Sequence, residues 1–133
     1  MIYALDTDTI WDILRGTSAA RQRWRLEEST GNRSIIPLMA YYEVRRGLRA
    51  YDATGIMKSF DELCAVLGIS DLTVYDMNTA AVIYAALKRQ GESMDDSDIL
   101  IAAQCIENGY MLVTDNTQAF ERVNGLQLVN WLE

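Results

Sequence analysis

The stretch "MDDSDILIAA" sets Asp95, Asp96 and Asp98 within four positions and then turns apolar. Acids recur in similar settings elsewhere. Asp6 closes the apolar run "IYAL", Glu43 sits inside "AYYEVRRGL", and Asp115 with Asn116 follows "YMLVT". Each has an ordinary structural use. Asp6 can cap a helix, although Asp8 and Thr9 would serve as well. Glu43 can pair with Arg46 on a helix surface for roughly a few tenths of a kcal/mol. Asp95, Asp96, Ser97 or Asp98 can cap the helix they open, where acids also favour the helix dipole. Asp115 or Asn116 can cap a short helix. One cap needs one residue, so so many aspartates together exceed that need.

What the chain lacks narrows the chemistry further. It has no histidine, which removes histidine general bases, Ser-His-Asp and Cys-His catalysis, and nearly every protein zinc site. Catalysis would have to run on carboxylates, hydroxyls, lysine or a hard cation. No phosphate-binding glycine loop of the GxxxxGK[ST] or GxGxxG kind occurs. Cys64 and Cys105 lie far apart in apolar helical patterns and read as buried reduced thiols. The formal net charge of −7 argues against tight, non-specific duplex binding. A local basic surface or a bridging metal would still admit nucleic acid as a substrate.

The 133 residues suit one domain over 1–133 with one core. No apolar stretch approaches the ~18 residues of a membrane span. The start "MIYALDTDTI" has no basic region before its apolar residues and does not read as a signal peptide, so the cytoplasm is expected.

Hydrophobic patterning supplies the elements that must position the acids. "MIYAL" reads as a strand, followed by helices over "TIWDILRG" and "TSAARQRWRLEEST". "RSIIP" is a second strand ended by Pro37, and "LMAYYEVRRGLRAY" a helix. Ile56, Phe60, Leu63 and Leu67 then recur at helical spacing up to Gly68. "LTVYD" reads as a third strand, with Asn78 capping a helix over "TAAVIYAALKRQ". "SDILIAAQCIEN" is a buried helix closed by Gly109, "YMLVT" a fourth strand, "QAFERV" a short helix, and "LQLVNW" a fifth strand. Short apolar strands alternating with helices predict an α/β fold: three layers, α/β/α, around a mostly parallel sheet of four to five short strands.

In such sheets ligands bind beyond the carboxyl ends of the strands. Asp6 and the pair Asp115/Asn116 fall there. Asp98 lies one turn before Ala102 and Ala103, where its helix can approach the sheet. Carboxylates converging without a basic residue in the same motifs would repel and raise each other's pKa values. A divalent cation resolves that conflict, and oxygen-only ligands favour Mg²⁺ or Mn²⁺ over zinc. Such a site is suited to phosphodiester hydrolysis. Glu43 stays open between surface pairing and this site. Gly47, on the same helix face, costs about 1 kcal/mol relative to alanine; packing explains it, or room for a ligand beside Glu43.

The segments "LDTDTI", "YYEVRRGL", "DSDILIAA" and "LVTDNTQAF" followed by "GLQLVNW" resemble, in order and spacing, the PIN-domain ribonucleases, in particular the VapC toxins of VapBC toxin–antitoxin systems. The resemblance covers essentially the whole chain. It implies a PIN-like domain and a Mg²⁺- or Mn²⁺-dependent endoribonuclease. Asp6, Glu43 and Asp98 match the first three acids, and Asp96 a position that is often acidic and would support the metal. The fourth position, Asp or Asn two residues after the threonine, is Asn116 here, with Asp115 able to contribute charge. The resemblance also implies a homodimer and a cognate VapB-like antitoxin that blocks the site. In "RRGLR", Arg45, Arg46 and Arg49 are candidates for RNA-backbone contact, against the plainer reading of a solvated helix face.

Two rivals remain at this level. "IYALDTDTI" also fits the DxDxT pattern of haloacid-dehalogenase-type phosphatases, with Asp6 as nucleophile and Asp8 as general acid. That leaves "YYEVRRGL" without a role, and such enzymes are usually longer. The other is a degenerate fold that only binds a partner, supported solely by the neutral residue at the fourth position.

Overall fold

The computed structural model describes residues 1–16 and 18–132; Thr17, where the second expected helix was to begin, and Glu133 lie outside the described residues. The elements run β1 (Ile2–Leu5), α1 (Thr7–Leu14), α2 (Ala19–Ser29), β2 (Arg33–Pro37), α3 (Leu38–Ala50), α4 (Thr54–Leu67) and β3 (Ile69–Ser70). Then follow α5 (Val74–Arg89), α6 (Asp96–Asn108), β4 (Met111–Val113), α7 (Thr117–Phe120) and β5 (Gln127–Val129).

The strands form one five-stranded sheet in the order β3-β2-β1-β4-β5, and every pairing is parallel. On β1, the neighbours Ala4 and Leu5 are both fully buried, as are Leu112 and Val113 on β4. Successive strand residues point to opposite faces, so helices cover both sides of the sheet. The α/β/α expectation is met.

The order has a consequence for function. From β1 the chain winds outward through β2 to β3, then returns to place β4 on the other side of β1. The direction of winding thus reverses between β1 and β4, where open α/β sheets form a crevice at the carboxyl ends of their strands. Asp6 follows β1 and Thr114 follows β4.

Three local expectations are corrected. "LTVYD" is not a strand: the short β3 precedes it, and Val74 already begins α5. A capping box decides this. The Asp76 N–H donates to Thr73 Oγ1 at 3.3 Å, and the Thr73 N–H donates to Asp76 Oδ2 at 2.9 Å, which satisfies two free helix donors reciprocally. Asn78 is therefore inside the helix and not its cap. Ile56, expected on the buried face of α4, is exposed; Phe60, Leu63 and Leu67 are buried. Both cysteines are free thiols, Cys105 buried and Cys64 half-buried.

Candidate active site

Asp6 is held firmly at the end of β1. It is only 6 % exposed, and both carboxylate oxygens have donors. The Thr7 N–H donates to Oδ1 at 2.8 Å, and the Thr114 hydroxyl donates to Oδ2 at 2.8 Å. Thr114 itself accepts from the Asn116 N–H at 3.0 Å, which leaves its hydroxyl hydrogen directed at Asp6. The backbone is fixed as well: the Asp6 N–H donates to the Val113 carbonyl at 3.0 Å, as does the Thr9 hydroxyl at 3.1 Å. Asp6 is the N-cap of α1 by conformation, yet one of its two oxygens is held by Thr114, just after β4, instead of by the helix.

Glu43 reaches the same region from α3. Its Oε1 accepts from the Thr7 hydroxyl at 2.9 Å, and its Oε2 faces the Ser97 hydroxyl at 3.5 Å and Arg46 Nη2 at 3.6 Å. Thr7 thus holds Asp6 with its backbone and Glu43 with its side chain. The sequence reading missed Thr7, Ser97 and Thr114; the one available signal was a small hydroxyl residue directly beside each expected acid or strand end.

Asp98 lies in the first turn of α6. Its carboxyl is pushed above the usual range by burial and then by Glu43, Asp95 and Asp8. The Asp6 carboxyl is pushed up to about 6, mainly by burial; the Thr114 and Thr7 donors oppose the rise, and Asp98 and Asp8 add to it. Asp8 is raised by burial and then by Asp115, Asp12 and Glu43, with Arg15 opposing. Asp6, Asp8, Glu43, Asp98 and Asp115 therefore occupy one electrostatic neighbourhood at the switch point. Mutual repulsion there was expected from the sequence, apart from the part played by Asp8.

Asp96 does not join them. It is exposed and borders a groove between α5 and α6 with Ala80, Ala81, Tyr84, Ile99 and Leu100. Helix geometry gives the reason: residues two apart point about 200° away from each other, so Asp95, three before Asp98, shares its face and Asp96 does not. Asp115 and Asn116 are both exposed on the turn after β4, and neither side chain caps α7.

Two expectations about α3 also change. Gly47 leaves room for a side chain and not a ligand: a Cβ there would meet Trp11 Cζ2 at 3.1 Å. The glycine lets α1 and α3 approach, which sets the Thr7–Glu43 bond. Arg45 is turned away from Glu43. It holds Asp61 Oδ1 at 2.6 Å and the Tyr41 hydroxyl at 3.3 Å, and lies over the Phe60 ring at 5.0 Å. Arg46 and Arg49 remain exposed.

Among the described residues, no three acidic or cysteine side chains already stand as a closed metal cage. The donor set nevertheless fits a hard divalent cation. It offers oxygen only, it concentrates negative charge at the switch point, and its best-buried acid, raised mainly by burial, is raised further by Asp98 and Asp8. Mg²⁺ keeps several waters and needs only one or two carboxylates, which suits such a crevice better than a cage would. Asp6, Asp98 and Glu43 are the residues that would hold it.

The PIN domain family model matches residues 3–126. The chain is 30% identical over 136 aligned positions to a tRNA(fMet)-specific endonuclease VapC of Salmonella typhimurium, covering 97% of each. It is 31% identical to ribonuclease VapC1 of Methanocaldococcus jannaschii, over 74% of this chain and 69% of that one. Its fold matches VapBC2 from Rickettsia felis, solved bound to a promoter DNA fragment, with a TM-score of 0.89 at 24% identity over 98% and 99% of the two chains. These matches leave the phosphatase alternative without support. The crevice between β1 and β4, with an acid at its base and acids around it, is accordingly that of a known nuclease fold, and the chain belongs to the PIN-domain family, within its VapC group.

Proposed function

We propose that the chain, acting as one nuclease domain over residues 1–133, is an endoribonuclease that uses Mg²⁺ or Mn²⁺ and is the toxin of a toxin–antitoxin pair. The observation that carries the reading is the buried Asp6 carboxylate at the sheet's switch point, crowded by Asp98 and Asp8. A cation bound there would polarise the scissile phosphate and lower the pKa of an attacking water. The chain's own residues do the rest. Asp6 and Asp98 supply negative oxygens to the cation, and Thr7 and Thr114 fix the direction of the Asp6 oxygens. Glu43, held by Thr7, would bind the cation as well or orient its water. Asn116, with Asp115, contacts a second cation, a water or the substrate.

The nuclease relatives support RNA as the substrate, and the VapBC neighbours support a VapB-like antitoxin that closes the crevice. A homodimer and a cytoplasmic place of work complete the proposal; among the described residues no helix is long and apolar enough to cross a membrane. The test is cleavage of total RNA and of initiator tRNA by antitoxin-free protein, with Mg²⁺, Mn²⁺ or EDTA, beside Asp6→Asn. Discrete products that need both the metal and Asp6 are expected. A folded protein that neither cleaves RNA nor binds metal would be a partner-binding module instead.

A further inference from the structure

Helix α3 carries a second feature beside Glu43. Tyr42, Arg46 and Arg49 stand at positions i, i+4 and i+7, hence on one face of the helix. All are solvent-exposed: Tyr42 is 52 % exposed and the Arg46 side chain 60 %, and Arg49 is exposed as well. The Arg46 guanidinium lies 5.3 Å from the centre of the Tyr42 ring, while its Nη2 is 3.6 Å from Glu43 Oε2. The stripe therefore begins at the acidic crevice and runs about 10 Å along the helix, seven residues at 1.5 Å each. In a chain of net charge −7 it joins an aromatic face to two exposed cationic side chains, of which Arg46 is loosely paired with Glu43. Arg45 shows the contrast, being consumed by Asp61, Tyr41 and Phe60.

Unpaired bases stack on tyrosine rings and guanidinium planes whatever their identity, and their phosphates pair with arginine. Duplexes hide their base faces and would meet the chain's overall negative charge. We propose that Tyr42, Arg46 and Arg49 form a subsite for single-stranded RNA beside the cleavage crevice: one base stacks on the Tyr42 ring, Arg46 takes a phosphate next to the scissile one, and Arg49 takes a further phosphate. This inference rests on the endoribonuclease reading. It explains how an acidic protein draws a polyanion to a nest of carboxylates, since Arg46 already partly neutralises Glu43.

The probe is a short fluorescein-labelled single-stranded RNA of mixed sequence. Its binding is followed by anisotropy with Mg²⁺ present, in an Asp98→Asn background that does not cleave, between about 50 and about 200 mM salt. Tyr42→Ala should weaken binding about tenfold or more, the usual loss for one stacked base, while Tyr42→Phe keeps the ring face and most of the affinity. Arg46→Gln and Arg49→Gln should each lower the slope of log affinity against log salt by about 0.7. Melting temperatures near that of the parent verify the fold. The inference is overturned if the parent does not bind the probe, or if Tyr42→Ala binds it equally well. It is also overturned if Tyr42→Ala changes the oligomeric state on a sizing column and not RNA affinity, which would make the stripe a protein contact. Cleavage of total RNA by the wild type separates the two claims. If it cleaves but the stripe variants bind RNA unchanged, only the subsite falls; if it does not cleave, the nuclease reading falls.

Discussion

Asp6→Asn should make the metal-free protein more stable at neutral pH, although it removes a residue placed at the heart of the site. The carboxyl titrates at about 6 in the folded chain and near its ordinary 3.8 when unfolded. Between those values the native state binds more protons than the unfolded one, so stability falls as pH rises through the window and stays lower above it. A gap of about two pH units corresponds to roughly 3 kcal/mol at pH 7.5. Asparagine escapes that penalty while its Oδ1 still accepts from Thr7. The Thr114 hydroxyl, already accepting from Asn116, loses its acceptor, at a cost of about 1 kcal/mol. The net gain is about 2 kcal/mol, or roughly a 1 M rise in urea midpoint. Urea unfolding followed by tryptophan fluorescence in EDTA, at low protein concentration because the pI is near 4.5, measures this from pH 7.5 down to about 4. The gain should shrink as pH falls and vanish near pH 4. Mg²⁺ should then stabilise the wild type more than the variant, by preferential binding to the folded state. A variant less stable than wild type at pH 7.5, or a gain independent of pH, would refute the reasoning.

Other residues give sharper structural tests. Thr7→Val deletes the hydroxyl that holds Glu43; cleavage rate should fall at saturating RNA while stability drops by about 1 kcal/mol, and Thr7→Ser should restore the rate. An unchanged rate would remove Thr7 from the positioning role. Gly47→Val should cost about 1–3 kcal/mol by forcing a side chain against Trp11, read as a lower urea midpoint; a neutral result would mean α1 and α3 are free to separate.

The layout of the site was more legible than its wiring. Alternating strands and helices with acids after β1 and β4 suffice to place Asp6 and Asp115 at one sheet edge. Helical periodicity would also have separated Asp96 from Asp98, two positions on, but the sequence reading kept the acids of this stretch together. The family resemblance pointed to Asp96, and the helix turns it toward Tyr84. Thr114 was not legible, because its partner Asp6 lies 108 positions away and a threonine after a strand has many ordinary uses. Gly47 announced a close approach but not its occupant, since nothing in "VRRGL" names Trp11. "LTVYD" misled because period-two alternation and a capping box overlapped on the same residues, and the box's reciprocal bonds prevailed.

The central claim is that Asp6 and Asp98 jointly hold a divalent cation at the switch point. Calorimetric titration of Mn²⁺ into wild type, Asp6→Asn, Asp98→Asn and Asp96→Asn at pH 7.5 tests it most directly. Binding to the wild type that is lost in Asp6→Asn and Asp98→Asn, and kept in Asp96→Asn, is the expected result. Binding that survives Asp98→Asn, or disappears in Asp96→Asn, would put the cation elsewhere and contradict it.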